Sequence, residues 1–166
     1  SQGLSGIAID HKAYASREAF DEAVHAALTE AGAELVALAG FMRIQSAGFV
    51  QRWIGRQINI HPSLLPLFKG LHPQRQALQA GAKMSGCSVH FVTEDMDAGP
   101  VIDQAAVPVH DGDSEDRLSE RILAAEHRLY PYALRLVAAG QARLDGGRVV
   151  LTGVVKQTDF LYPPAP

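Results

Sequence analysis

Apolar positions near the start of the chain follow first a strand pattern and then a helix pattern. Residues 6–9 predict a short strand, and apolar residues at positions 20, 23, 24, 27 and 28 recur at helical spacing. Ser16 is placed to cap the start of this helix, and Gly32 is placed to end it. The apolar run over residues 35–38 is typical of a strand buried on both faces.

The middle of the chain continues the alternation of helices and strands. The predicted elements are a helix over residues 46–53, a strand over 57–60, a helix over 74–80 and strands over 87–92 and 101–109. Asn59 and His61 stand where the strand over 57–60 ends, and Pro62 interrupts regular structure there. Because open α/β sheets bind ligands beyond the carboxyl ends of their strands, this position favours a functional site.

The last third of the chain predicts a long helix followed by a hairpin. Asp113 or Ser114 can cap the start of the helix, and Pro131 is expected to kink or divide it. Residues 142–144 and 148–151 flank an Asp-Gly-Gly turn, which favours two antiparallel strands. The order of elements therefore predicts an α/β fold with a mostly parallel open sheet and a C-terminal antiparallel hairpin.

Length and composition fit an ordinary folded domain. We expect the 166 residues to form a single domain over 1–166, with residues 152–166 as a C-terminal tail. A hydrophobic content of 47% and a charged content of 20% exclude a largely disordered chain. The formal net charge of −3 gives no overall attraction to nucleic acid or to anionic membranes, so neither is an expected partner.

Three features bear on location. The single cysteine, Cys87, cannot form an intrachain disulfide, which suits a reducing compartment. The sequence contains no apolar run close to the about 20 residues that span a bilayer, and its start lacks the basic and apolar regions of a signal peptide. We therefore expect a cytoplasmic protein.

The segment after the strand over 57–60 holds the residues best suited to chemistry. Asn59 and His61 are two apart on one strand, so their side chains project to the same side. An amide N–H or imidazole N–H stabilises the oxyanion of a tetrahedral intermediate, and a histidine near neutral pKa can move the proton of an attacking amine. Asp97, in the loop over residues 93–100, can orient that histidine or hold a water. This set suits acyl or formyl transfer.

Other interpretations of the same residues stay open. Asn59, His61 and Asp97 could be structural residues of turns, and His90 and Cys87 lie in an apolar strand and suit the core. His61, His72, His90 and Asp97 could bind a metal, but their spacing matches no metal motif, so none is expected. Ser63 lacks the surroundings of a nucleophilic serine.

Three ordered motifs resemble a known family. The motifs cover residues 38–44 (LAGFMRI), 59–66 (NIHPSLLP), and 88–93 with 97–102 (SVHFVT and DAGPVI). Together they resemble the phosphoribosylglycinamide formyltransferases of purine biosynthesis, which are folate-dependent formyltransferases, and the resemblance runs over about residues 7–140. It implies a Rossmann-like fold with helices on both faces of the sheet.

The resemblance also implies a reaction and its residues. A formyl group would pass from 10-formyltetrahydrofolate, a cosubstrate, to the amine of glycinamide ribonucleotide, without a metal or a covalent enzyme intermediate. Asn59 would bind the formyl oxygen, His61 would stabilise the oxyanion and assist proton movement, and Asp97 would support His61 and a water relay. The implied folate contacts are Phe41, Met42, Arg43, Ile44, Val92, Thr93, Glu94 and Asp95, and the implied ribonucleotide contacts are Pro62 and Glu126.

The sequence departs from the family pattern in two places. Residues 70–74 read GLHPQ where members commonly read GLHTH, which replaces a histidine and removes a backbone N–H. The family begins with a strand and a Gly-rich loop that holds the ribonucleotide phosphate, and nothing in residues 1–10 supplies that loop. Either this sequence omits an N-terminal portion, or the protein is a truncated form that lacks half of its nucleotide site. We expect the first, with the N-terminal strand or strands missing from this sequence, because a sheet without its central parallel strands would expose apolar edges.

Several members of the same broad group share the formyl site. The formyl site of this sequence also resembles that of formyltetrahydrofolate hydrolases and that of methionyl-tRNA formyltransferases. A non-catalytic folate-binding fragment is a further alternative. The sequence after the hairpin is too short for the basic C-terminal domain of the tRNA enzymes. The expected partners are the two small-molecule substrates, in a monomer or a homodimer.

Overall fold

The computed structural model describes residues 6–153, which form four helices and six strands after a short 3-10 helix at His11–Ala13. In chain order the elements are α1 (Arg17–Glu30), β1 (Val36–Leu38), α2 (Ala47–Arg52), β2 (Gln57–His61), α3 (Pro73–Gln79), β3 (Met84–Phe91), β4 (Val101–Pro108), α4 (Glu115–Ala138), β5 (Ala142–Asp145) and β6 (Arg148–Leu151). The predicted α/β class is confirmed.

Strands β1 to β4 form one mixed sheet in the order β1-β2-β3-β4. Only β1 and β2 are parallel, whereas β2–β3 and β3–β4 are antiparallel, so the predicted mostly parallel arrangement is wrong for the described sheet. The loop between β3 and β4 is too short for the crossover that a parallel pair requires, because such a connection takes about a dozen residues or more. Strands β5 and β6 form the predicted C-terminal antiparallel hairpin.

The side chains of β2 and β3 alternate between two different environments. Ile58, Cys87, Val89 and Phe91 are fully buried in the main hydrophobic core, which α4 covers. Asn59, His61, Ser88 and His90 alternate with them and therefore project from the opposite face. The apolar face holds the sheet to the helix, and the polar face carries the candidate chemistry.

Helix α4 is continuous from Glu115 to Ala138, so the predicted division at Pro131 is wrong. Proline removes one helical hydrogen bond, but the buried apolar side of the helix packs along β3 and β4 and keeps the helix in one piece. The Tyr130 hydroxyl also donates to the Leu38 carbonyl at 2.7 Å. Ser114 caps the helix through Arg117 N–H, while Asp113 pairs with Arg121.

The segments around α1 and β1 differ from prediction at two points. Residues 6–9 form no strand, since Ile7 is exposed and no described strand pairs with them. In β1, Val36 packs with Phe49 and Trp53, but Ala37 is exposed, so burial on both faces is also wrong there. The predicted cap at Ser16 is confirmed, since its hydroxyl accepts from the N–H of Ala19.

Two further observations complete the fold. Within residues 6–153, no helix combines the length and the hydropathy needed to cross a membrane. Most of the predicted tail, from residue 154 onward, lies outside the described residues.

Candidate active site

Strand register brings four polar side chains together on one face of the sheet. Asn59 pairs with His90 across β2 and β3, and His61 pairs with Ser88. Because residues opposite each other in an antiparallel pair point to the same face, these four side chains are neighbours. His90 was expected to be a core histidine, and it is buried, but it contacts the candidate site directly. Its signal in the sequence is the alternation with Ser88 along β3.

His61 is held at both ring nitrogens. Its Nε2 lies 3.0 Å from the Phe68 carbonyl oxygen, and its Nδ1 lies 3.4 Å from Asp97 Oδ2. A carbonyl and an ionised carboxylate can only accept a hydrogen bond, so Nε2 donates to the Phe68 carbonyl, and the protonated ring donates at both nitrogens. The side chains of His61 and Asp97 are 7% and 11% exposed, which keeps this pair largely out of water.

Asp97 occupies a loop whose backbone has little freedom. Its φ of 50° is in the left-handed region, which aspartate tolerates better than most residues. Two residues later, a Cβ on Gly99 would lie 1.8 Å from the Phe91 carbonyl oxygen, so only glycine allows the loop to pack this closely on β3. The Gly70 N–H donates to Asp97 Oδ2 at 3.0 Å. The loop therefore presents the carboxylate to His61 in a fixed position.

Asn59 and His90 form a second hydrogen-bonded pair. His90 Nδ1 donates to the Phe91 carbonyl at 2.9 Å, which leaves Nε2 to accept from Asn59 Nδ2 at 3.3 Å. Burial is the main cause that lowers the pKa of His90 below its ordinary value of 6.5, and this keeps the ring neutral. Because Nδ2 has two hydrogens, Asn59 keeps one N–H for a ligand.

These groups open into one cavity of about 450 Å³, a size typical of small-molecule sites. Every predicted site residue lines it. Phe41, Met42, Arg43 and Ile44 form one part of its wall, and Val92, Thr93, Glu94 and Asp95 form another. Met42 and Ile44 are 79% and 59% exposed, so the cavity offers apolar surface beside the polar loop. The Arg43 guanidinium lies 5.3 Å above the Phe20 ring, which fixes its direction.

Glu126 and Pro62 also line the cavity, from α4 and from the segment after β2. Burial raises the pKa of Glu126 above its ordinary value. A half-buried carboxyl in a cavity wall is better placed to meet a ligand than one on a solvated helix face.

The cavity also includes residues that sequence patterns did not single out for it. These are Leu38, Gly40, Gln45, Val50, Ile60, Gly70, Leu71, His72, Pro73, Gln74, His90 and Met96. Pro73 begins α3, where a missing backbone N–H costs nothing, so the departure from the family pattern is compatible with the fold. His72 lies beside Glu115, and within the described residues no group of three His, Cys, Asp or Glu side chains could hold a metal ion.

Comparison with known proteins shows a consistent set of relatives. Residues 4–134 match the formyl transferase family. The chain is 52% identical over 148 residues to the trifunctional purine biosynthetic protein adenosine-3 of Bos taurus. The aligned region covers 89% of this chain but only 15% of the bovine protein. It is 44% identical over 151 residues to the phosphoribosylglycinamide formyltransferase of Escherichia coli, covering 91% of this chain and 71% of that protein.

A solved structure agrees with these sequence matches. Glycinamide ribonucleotide transformylase 1 from Symbiobacterium toebii superimposes with a TM-score of 0.84 at 51% identity, covering 87% of this chain and 68% of that one. The chain belongs to the formyl transferase family.

Proposed function

We propose that this protein transfers the formyl group of 10-formyltetrahydrofolate to the amine of glycinamide ribonucleotide in purine biosynthesis. The observation that carries the proposal is the convergence of Asn59, His61 and Asp97 in one cavity. The names of the E. coli and S. toebii relatives support the same acceptor and the same class of transferase, and the name of the bovine relative supports a role in purine biosynthesis.

The contacts of the three residues support a stepwise mechanism. The amine nitrogen attacks the formyl carbon, and the carbonyl electrons move to the oxygen, which the free N–H of Asn59 stabilises. The proton of the amine passes to His61, whose ring lies between the Phe68 carbonyl and the Asp97 carboxylate. Asp97 stabilises the resulting imidazolium. The bond from the formyl carbon to the folate nitrogen then breaks, and that nitrogen receives the proton.

The rest of the cavity has a role in binding both substrates. The wall formed by residues 41–44 and 92–95 suits a flat pterin, which needs apolar surface and a few backbone donors and acceptors. Pro62 and Glu126 would contact the ribonucleotide, with the Glu126 carboxyl accepting from its N–H or O–H groups. The same proposal places the protein in the cytoplasm, as one domain, in a monomer or a homodimer.

A substrate-omission assay tests the proposal. The purified protein is mixed with 10-formyltetrahydrofolate, with and without glycinamide ribonucleotide, and the release of tetrahydrofolate is followed by absorbance while the formylated product is identified by mass. We expect release only when the ribonucleotide is present. Equal release without it would identify a hydrolase, and no release would contradict enzymatic formyl transfer by this chain.

A further inference from the structure

The segment after β2 provides backbone partners to both members of the His61–Asp97 pair. We define the bridging segment as residues 62–71. Its Phe68 carbonyl accepts from His61 Nε2 at 3.0 Å, and its Gly70 N–H donates to Asp97 Oδ2 at 3.0 Å. The orientation of the pair therefore depends on where this backbone lies.

The backbone of the bridging segment does not lie in a relaxed conformation. Phe68 has a φ of 53°, in the left-handed region that a bulky residue rarely adopts. Such a conformation persists only when the surrounding structure holds it. The contacts that hold this segment are therefore important for the site.

Gln104, on β4, holds the first half of the bridging segment. Its Nε2 donates to the Leu65 carbonyl at 2.9 Å and to Ser88 Oγ at 2.7 Å. The Ser88 hydroxyl also accepts from Leu65 N–H at 2.9 Å and donates to the Ser63 carbonyl at 2.7 Å. One donor and two acceptor positions of this buried hydroxyl are thus all occupied. Gln104 completes the network that joins residues 63–65 to the sheet.

Gln76, on α3, holds the second half in the same way. Its Nε2 donates to the carbonyls of Lys69 and Leu71, at 3.0 and 2.9 Å. These two carbonyls flank Gly70, whose N–H meets Asp97. The two glutamines therefore hold the backbone on either side of Phe68 and Gly70, although neither touches His61 or Asp97.

We propose that Gln76 and Gln104 are positioning residues, which fix the bridging segment so that the Phe68 carbonyl and the Gly70 N–H orient His61 and Asp97. The effect on turnover rests on the proposed formyl transfer, whereas the effect on the geometry of His61 does not. Both glutamines act through the backbone of the bridging segment, so they are not catalytic residues.

Gln76→Met and Gln104→Met test the proposal, because methionine keeps the length of the side chain and removes the amide donors. We expect each variant to lower kcat about tenfold to a hundredfold, since small misplacements of catalytic groups have effects of this size. KM for both substrates should stay within about threefold, because binding contacts are unchanged. Gln79→Met, at an exposed position on the same helix as Gln76, is the matched control and should retain the parental kcat.

Imidazole ¹H–¹⁵N spectra provide the readout that is independent of activity. The His61 signals, assigned with His61→Ala, should show a changed tautomer balance and titration midpoint in both variants but not in the control. Parental kcat with unchanged His61 signals would overturn the proposal, and so would a lower kcat without a change in those signals. If the parental protein lacks formyl transfer but the signals still change, the proposed function fails and the positioning role stands. If Gln104→Met does not fold, the kcat and the His61 signals of Gln76→Met, which is on the surface of α3, test the proposal.

Discussion

Alternate residues of β2 and β3 form the two faces of the same pair of strands. One face packs in the hydrophobic core, and the other carries the polar side chains of the candidate site. On one face, Ile58 and Phe91 are fully buried beneath α4. On the other, Asn59 and His90 hydrogen-bond to each other and line the cavity. Adjacent residues on one strand therefore belong either to the core or to the candidate site. Substitutions one residue apart should accordingly change either the free energy of unfolding or kcat.

The largest expected effect is on turnover, from the polar face. His61→Ala removes the base and Asp97→Asn removes the charge that stabilises its cation, so each should lower kcat by about 10²- to 10⁴-fold. Steady-state kinetics measures the loss, and thermal unfolding should show a melting temperature close to that of the parent. Full-rate turnover by both variants would contradict the catalytic assignment.

A pair of neighbouring substitutions tests the comparison directly. Ile58→Ala opens a cavity in the apolar core and should lower the free energy of unfolding by about 2–5 kcal/mol. Asn59→Ala should instead lower kcat by about 10²- to 10³-fold, as removal of an oxyanion donor does. Urea unfolding and initial rates are measured on both proteins. Equal losses of stability in the two variants would show that the faces are not functionally separate.

The pH dependence of stability sharpens the comparison at His90. Its folded pKa lies below the ordinary 6.5, so as the pH falls below about 6.5 the unfolded chain binds a proton that the folded chain refuses. The contribution of this group is fully present above pH 6.5 and declines as the pH approaches the folded pKa, by at most about 1.4 kcal/mol per pH unit.

His90→Gln isolates that contribution. The difference in unfolding free energy between parent and variant, measured by urea titration from pH 8 to pH 5, should change with pH only on the acid side. The sign follows because the unfolded state binds more protons there. A difference that is constant with pH would show that His90 is not held neutral by the fold.

The smallest expected effect is at Cys87, on the apolar face. Burial raises the pKa of this thiol to about 12, so the reactive thiolate is scarce at neutral pH. We expect no labelling by iodoacetamide at pH 8 in the folded protein and rapid labelling in urea. Cys87→Ala should cost about 1 kcal/mol of stability and leave kcat unchanged. Labelling of the folded protein would contradict burial of this face.

Much of the fold followed from local patterns. Helical spacing and Ser16 predicted α1, and an Asp-Gly-Gly turn predicted the β5–β6 hairpin, because caps and turns depend on nearby residues. Predictions from local patterns were wrong where the conformation of a segment depends on the segments that pack against it. Strand direction in the sheet, the missing strand over residues 6–9 and the unbroken helix at Pro131 all depend on which segments meet.

The candidate site divides in the same way. The sequence by itself determined the residue types, their alternation along β2 and the family motifs, and these were enough to select Asn59, His61 and Asp97. The tertiary structure decided that His90 pairs with Asn59, and that Phe68 and Gly70 orient His61 and Asp97. Hydrogen bonds between residues distant in the chain depend on strand register and loop conformation, and neither is encoded by the spacing of residues within one segment.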